Sequence, residues 1–453
     1  MSHIRQALAM MREEKLFSGI YIAGTAMALA FTMVMAVVYY IKLAPIYPET
    51  NRPRTVYLKS IAVRVERDGR LIGATGYCFS EKAFEEWLLP SKNYEYCAPT
   101  LPTAGSGSFS EYTTESTKSP TGEYIDAITN YTNADFFKIY EYEFLEGRPL
   151  TKQDVENHET VCVVSDDFAE QYFGRGVSAV GRMVERENHG PMRVVGVVRS
   201  GSQLTPDSYM QLFLPYTLSN TQHYDNPYCG NHGIVLTVKD DRQLEALKRE
   251  LDEIAARLTQ TDAIQIGWGD EEGTTRTVQL TNGMETHPMH TLLDASGADS
   301  FLGETSCWPI VKHFAGLLFV LLVVPALNLC SIVAGRMERR TAEMAVRKTF
   351  GARRSVLLSQ VVTENLVMTC IGGLIGLALA WLAVYAFRTP ILGMFFDSSA
   401  PGASPIVTGE MLFAPLLFVG AFAAILVLNL LAALLPAWWS LRKPIVESMM
   451  EKR

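Results

Sequence analysis

Four runs of apolar residues, each long enough to cross a lipid bilayer, constrain this chain more than any other feature. A spanning helix needs about 20 predominantly apolar residues, because inside lipid every backbone polar group must be satisfied within the segment. The runs are residues 18–41, 311–335, 357–388 and 411–439. The first contains no charged residue at all. A core helix of a soluble protein carries a polar stripe, which these runs lack. The first run is also too long for the apolar part of a secretory signal, and no small-x-small cleavage site follows it. The expected fold is a membrane protein with four transmembrane α-helices and a large α+β extracytoplasmic domain, residues 42–310, inserted between the first and second spans.

Lys and Arg in short loops set the direction of insertion. Residues 336–356 hold Arg336, Arg339, Arg340, Arg347, Lys348, Arg353 and Arg354. The segment 440–453 adds Arg442, Lys443, Lys452 and Arg453, and residues 1–17 supply Arg5, Arg12 and Lys15. The short segment 389–410 has neither Lys nor Arg. Both ends of the sequence and the 336–356 loop are therefore expected in the cytosol, with 42–310 and 389–410 outside. Lys42, Arg52, Arg54 and Lys59 run the other way, but long domains translocate largely regardless of charge. Residues 42–308 carry 24 basic and 39 acidic residues, a net of −15, while the rest of the chain carries 16 and 9, a net of +7. The acidity belongs to the outer domain and says nothing about nucleic acid, which is not expected as a partner.

Within the outer domain, residues 55–65, 160–165, 193–199, 211–216 and 234–238 read as strands. Ser165 is placed to cap a helix running to Phe173. A second helix is expected over 241–260, where Leu244, Leu247, Leu251, Ile254 and Leu258 recur at helical spacing. Residues 263–268 read as the strand after it. The β-helix-β pattern thus occurs twice, which suggests two lobes. Gly- and Ser-rich text at 103–122 reads as a mobile loop. Five of the seven cysteines, Cys78, Cys97, Cys162, Cys229 and Cys307, fall in this domain, and Cys78 with Cys97 is the local disulfide to expect in an oxidising compartment.

Catalytic motifs are missing from the sequence. His287 and His290 flank Pro288 and Met289 with no Glu suited to a zinc-hydrolase helix. The run from Gly176 to Gly181 imitates a phosphate loop, but Arg182 stands where Lys must reach the phosphates and Met183 where Ser or Thr must hold magnesium. The expectation is a chain that is not an enzyme and binds no cofactor or metal itself.

The most informative segment is the basic loop. Residues 341–349 read as a short helix exposing Met344 and Val346 beside Arg347 and Lys348, and Gly351 reads as a helix stop. On these residues alone, two readings stand level: an amphipathic element that inserts into a groove of a soluble partner, or a solvated basic loop that serves only topology. The string RTAEMAVRKTFGA, from Arg340 through Glu343 and Arg347 to Ala352, resembles the signature of MacB/FtsX-type permeases of ABC transporters. The resemblance continues through Glu364 and the Gly372, Gly373 and Gly376 run. The 4–15 stretch resembles the family's N-terminal amphipathic helix, and Pro436, Ala437, Trp438 before Arg442, Lys443, Pro444 its C-terminal end. In the outer domain, Phe144 to Arg148 and the text around Phe173, Gly181 and Val194 to Val198 resemble the family's periplasmic core. Residues 67–135, which include Cys78 and Cys97, resemble it least.

The resemblance implies a permease subunit in the cell inner membrane, dimeric as a homo- or heterodimer, with ATP and Mg2+ held by a separate cytosolic ATPase. It makes Arg340, Glu343, Met344, Val346, Arg347, Lys348, Gly351 and Ala352 the coupling element that docks on that ATPase. ATP-driven motion would then pass to the outer domain, to export or extract a peptide, a drug-like molecule or a lipoprotein, with a periplasmic adaptor or client and membrane lipid as further partners. A non-transporting regulator of a cell-wall hydrolase, or a receptor with no ATPase, are the alternatives. In the spans, Glu364 is an intramembrane carboxylate, either functional or bonded to a nearby Arg or backbone group. Gly372, Gly373 and Gly376 permit close helix approach, within one chain or across a dimer. Pro325 is expected to kink the second span, as a hinge or as static packing.

Overall fold

The computed structural model describes residues 11–58, 60–100, 114–187, 190–205, 207–219, 226–264, 273–281, 353–387, 409–412 and 415–442, with scattered positions elsewhere, chiefly between 312 and 350. The chain divides into two compact units. One comprises Met1–Tyr40, Val311–Phe395 and Thr408–Arg453, and the other Ile41–Ile310 with Phe396–Val407.

The second, outer unit holds fourteen described strands: β1 Thr55–Leu58, β2 Ile61–Arg67, β3 Arg70–Phe79, β4 Tyr96–Thr100, β5 Thr114–Lys118, β6 Tyr124–Thr132, β7 Phe144–Gly147, β8 Val161–Ser165, β9 Met183–Arg186, β10 Gly190–Val198, β11 Leu212–Pro215, β12 Cys229–Gly230, β13 Gly233–Thr237 and β14 Thr274–Gln279. The longer described helices of the chain are α1 Lys15–Leu43, α2 Asp166–Phe173, α3 Asp241–Gln260, α4 Arg354–Ala386 and α5 Pro415–Arg442. The strands form a three-stranded sheet β1-β13-β4, a four-stranded sheet β12-β3-β2-β14 and a seven-stranded sheet β7-β10-β8-β11-β6-β5-β9. In the last, β9 pairs with β10 as well as with β5, so six of its strands close on themselves. Closure removes the open edges that would otherwise offer unpaired backbone groups to other chains. Only the short β7 is left on the flank, paired to the C-terminal half of β10.

The first β-helix-β unit forms as expected. β8 and β10 lie parallel, Val161 opposite Arg193 through Ser165 opposite Val198, with α2 between them in sequence. Ser165 occupies the cap position, but its hydroxyl turns to the Asp167 carboxylate at 2.5 Å and makes no bond to a backbone N–H of the first turn. α3 has the expected bounds and buries all five of its periodic leucines and isoleucine. Asp240 caps it, accepting from the Gln243 N–H at 2.9 Å. β13 forms before it as expected, while 265–268, most of the strand expected after it, lie outside the described residues. The next described strand, β14, belongs to a different sheet from β13.

Three other expectations change. Residues 55–65 are two strands in different sheets, β1 against β13 and β2 against β3 and β14. All of β1 and most of β2 are buried on both faces, and a run without a polar face gives no alternation to mark the break. The segment 103–122 is not all loop: Thr114–Lys118 is β5, hydrogen-bonded to β6, and 101–113 lie outside the described residues. Third, Cys78 and Cys97 are separate buried thiols on β3 and β4, strands of different sheets, so the disulfide expected from spacing is not made. The nearness in sequence misled because residues 81–88 form a helical turn that carries the chain from one sheet to the next. One apolar cluster draws on all three sheets and on α3, through Val56, Val63, Phe79, Val164, Leu212, Leu236 and Leu251 among others.

In the first unit, α1, α4 and α5 are helices long and apolar enough to cross a membrane. The expected second span, 311–335, is described only at scattered positions, which are helical, and Pro325 lies outside the described residues. The glycine run of α4 is used inside the chain. A Cβ on Gly372 would stand 2.9 Å from the Ile22 carbonyl oxygen, and one on Gly376 2.5 Å from that of Ala26, both on α1. Gly373 takes the ring of Phe422 from α5 in the same way, at 2.2 Å. Small residues here let two backbones approach on one side and a ring on the other. A polar knot fastens the same three helices. Tyr21 and Thr369 share a hydrogen bond of 3.0 Å, and Asn429 Nδ2 reaches Thr25 Oγ1 at 3.3 Å and Thr369 Oγ1 at 3.5 Å.

Candidate functional site

The basic loop is anchored to the start of α4 by its own arginine. Arg347 Nη1 donates to Gln360 Oε1 at 2.9 Å, and Gln360 Nε2 donates in turn to Glu364 Oε1 at 2.9 Å. Gln360 and Glu364 are one helical turn apart and buried at 9% and 2% exposure. An amide suits the middle of such a chain, since its oxygen accepts from the guanidinium while its nitrogen donates to the carboxylate. The relay therefore spreads a cation and a buried anion over three side chains. On the same stretch of α4, Leu357, Val361 and Met368 join a buried apolar cluster with Tyr21 of α1, Ala433 and Ala437 of α5, and Val333 and Met337.

Beside Arg347 the loop turns apolar groups outward. Phe350 is 88% exposed and Val346 44%. Phe350 N donates to the Val346 carbonyl at 3.2 Å and the Thr349 hydroxyl to the same oxygen at 2.6 Å, which closes a helical turn and sets the two side chains on it. Exposure of a phenylalanine ring leaves a large apolar area in water, a cost that contact with another surface would remove. Of the residues expected to couple, Val346 and Arg347 are thus placed, while Arg340, Glu343, Met344, Lys348, Gly351 and Ala352 lie outside the described residues. Phe350 and Gln360 were not singled out by the sequence reading. The signals for them were a bulky ring directly before Gly351 and a lone amide entering an apolar run.

In the outer unit the two stretches that resembled the family's core meet. Gly147 of β7 lies opposite Gly196 of β10. A Cβ on Gly147 would fall 2.2 Å from the Val195 carbonyl oxygen, and one on Gly196 would fall 2.2 Å from that of Arg148. Gly147 also has φ +70, which side-chain-bearing residues seldom adopt. Next to the crossing, Arg148 grips Asp154 with two hydrogen bonds, 2.6 and 3.0 Å, and Thr151 and Asp154 cap the helix Lys152–Glu156 reciprocally. Burial would raise the Asp154 carboxyl, but the bonds from Arg148 and Thr151 outweigh it and hold the group down at about 2.

The run from Gly176 to Gly181 is a turn that feeds a strand, β9, rather than a helix, so it lacks the helix N-terminus on which a phosphate loop depends. Among the described residues no group of His, Cys, Asp and Glu is arranged to hold a metal ion.

Two families match the chain. The MacB-like periplasmic core domain matches residues 18–254, and the FtsX-like permease C-terminal domain matches residues 315–445. The chain is a MacB/FtsX-type ABC transporter permease. Among relatives of this permease, the macrolide export ATP-binding/permease protein MacB of Chromobacterium violaceum is 25% identical over 268 residues, covering 58% of this chain and 36% of its own. The pyoverdine export ATP-binding/permease protein PvdT of Pseudomonas aeruginosa is 24% identical over 315 residues, 69% of this chain and 40% of its own. The ABC transporter permease YknZ of Bacillus subtilis is 23% identical over 259 residues, 57% of each chain. The permease thus spans less than two thirds of the length of each of these relatives. Among solved structures, the periplasmic region of MacB from Actinobacillus actinomycetemcomitans aligns over 46% of this chain and 94% of its own, with 16% identity and a TM-score of 0.31.

Proposed function

We propose that this permease works as a four-span, multi-pass subunit of the cell inner membrane, with both ends of the sequence in the cytosol. Its loop at 336–356 docks on a cytosolic ATPase that holds ATP and Mg2+, and a second permease chain completes the assembly. ATP-driven motion of the ATPase passes through the loop to the spans and on to the outer unit, which exports or extracts a client such as a peptide, a drug-like molecule or a lipoprotein.

The observation that carries this reading is the loop's geometry. Exposed Val346 and Phe350 stand beside Arg347, whose guanidinium is bonded to Gln360 of α4. An apolar anchor with a charged rim suits insertion into a protein groove. A loop that served only topology would need the charge but neither the exposed ring nor the bond into the helix.

A photo-crosslinking amino acid in place of Phe350 tests the docking. Capture in intact cells of a protein with nucleotide-binding motifs supports it. Crosslinking to lipid alone rejects it.

A further inference from the structure

Residues 44–54 follow the end of α1 inside the outer unit, and this segment is built as the opposite of a flexible linker. It holds Pro45, Pro48 and Pro53 and no glycine, and proline fixes φ wherever it stands. Its polar side chains are bonded into the outer unit. Tyr47 donates its hydroxyl proton to the Arg199 carbonyl at 2.8 Å and accepts from the Glu143 N–H at 3.2 Å. Thr50 donates to Glu141 at 2.7 Å, and Asn51 to the Ile139 carbonyl at 3.1 Å.

At the centre is a buried ion pair. Arg52 Nε meets Glu49 Oε2 at 2.7 Å, with the two side chains 3% and 1% exposed. Arg52 Nη1 donates to the Ile41 carbonyl at 2.7 Å and to the Ala44 carbonyl at 2.6 Å. The other oxygen of Glu49 accepts from Ser208 Oγ at 2.6 Å, a fully buried hydroxyl in the segment after β10. Ile41 lies in the last turn of α1, within the outer unit.

The last carbonyls of a helix have no donor within it and carry its partial negative charge. Local residues or water usually satisfy them. Here an arginine eleven residues beyond Ile41 does so, and the same guanidinium is fixed by a carboxylate tied to a third segment. A buried pair is costly to desolvate and is weak support for stability as such. What it enforces is geometry, because only one placement of the three segments satisfies every bond.

We propose that Arg52 is a positioning residue that locks the last turn of α1, residues 44–54 and Ser208 into one rigid joint inside the outer unit, so that a displacement of this helix end is not absorbed by a linker. The delivery of motion rests on the function proposed above; the rigidity of the joint does not.

Hydrogen–deuterium exchange on the full chain in lipid nanodiscs, with the ATPase that co-purifies with it, tests both parts. Without nucleotide, Arg52→Ala should speed exchange of amides 41–47 and 201–209 by more than about tenfold. Arg52→Lys, which keeps the charge and loses the fork, should fall between Arg52→Ala and the natural chain. The amides of β8 should stay protected in all three, which separates a loosened joint from an unfolded domain. Unchanged exchange at 41–47 and 201–209 in Arg52→Ala would overturn the joint.

With Mg2+, ATP and vanadate, Arg52→Ala should still hydrolyse and trap nucleotide but lose the nucleotide-dependent exchange change in the outer unit. A change as large as in the natural chain would overturn the positioning role. A natural chain with no nucleotide response at all, but a joint loosened by Arg52→Ala, would instead reject the function proposed above and leave the joint standing.

Discussion

Arg347 and Gln360 are joined by a 2.9 Å hydrogen bond across 13 residues of sequence, so the basic loop is held to the helix that follows it. Because Gln360 passes its own N–H to Glu364, the bond ends on a buried carboxylate. A push on Arg347 therefore acts on α4 directly.

Removing the middle of that chain should cost stability. Gln360→Leu takes a donor from buried Glu364 and an acceptor from Arg347, an expected loss of about 1–3 kcal/mol, seen as a lower melting temperature of the full chain in nanodiscs. Ser359→Ala, one residue earlier, removes only a local bond to the Val356 carbonyl and should change stability by less than about 0.5 kcal/mol. Equal effects of the two would mean that the relay has no structural weight.

The crossing of Gly147 and Gly196 should tolerate no side chain. Gly147→Ala and Gly196→Ala each drive a Cβ into a backbone carbonyl, which cannot rotate away as a side chain would. Each should destabilise the outer unit by about 3 kcal/mol or more. Gly174→Ala provides the comparison, since Gly174 has φ +96 but open space around its Cβ position. It should cost only the backbone strain, about 1–3 kcal/mol. Proteolysis of the outer unit in urea would rank the three.

Asp154 should contribute an acid-sensitive part of the outer unit's stability. Its carboxyl is held at about 2 in the folded chain, against about 3.9 when unfolded. A depressed pKa stabilises above the unfolded value, and the gain is lost as pH falls from about 4 through about 2. Arg148 is 45% exposed, so solvent screening limits the gain to about 1 kcal/mol. Asp154→Asn should lower stability at pH 7 and leave it nearly unchanged near pH 2. A constant difference across that range would show that the ion pair is not its source.

Cys78 and Cys97 should be free thiols. Burial pushes the Cys78 thiol up to about 12 and raises the Cys97 thiol well above its ordinary value, so neither should react with iodoacetamide at pH 8 in the native chain. Denaturation without reductant should expose both to alkylation. A chain in which either alkylates only after reduction would restore the disulfide that the sequence spacing suggested.

The sequence was most legible where one physical requirement acts alone. Span length marks α1, α4 and α5 because lipid leaves the backbone no other solution. The leucine spacing of α3 shows because one face of that helix is buried and the other is wet. Legibility failed where burial is two-sided, as at 55–65, and where residues near in sequence part in space, as with Cys78 and Cys97. The Gly147 and Gly196 crossing was visible only as two separate motifs. Their contact depends on the β7–β10 pairing, which neither motif encodes alone. Asn429 escaped for a related reason: its partners Thr25 and Thr369 lie 404 and 60 positions away. Gln360 and Arg52 bond to nearer residues, 13 and 11 positions away, but a single polar pair has no periodicity to mark it.

The most direct measure of the central claim is the ATPase activity that purifies with the full chain in mild detergent, compared between the natural chain and Phe350→Asp. Phe350 is 88% exposed, so its replacement should leave folding intact while placing a charge where an apolar anchor docks. ATP hydrolysis should accompany the natural chain and fall by at least about tenfold with Phe350→Asp, an interface penalty of about 1.4 kcal/mol or more. Full activity retained by Phe350→Asp, or no ATPase accompanying the natural chain, would contradict that claim.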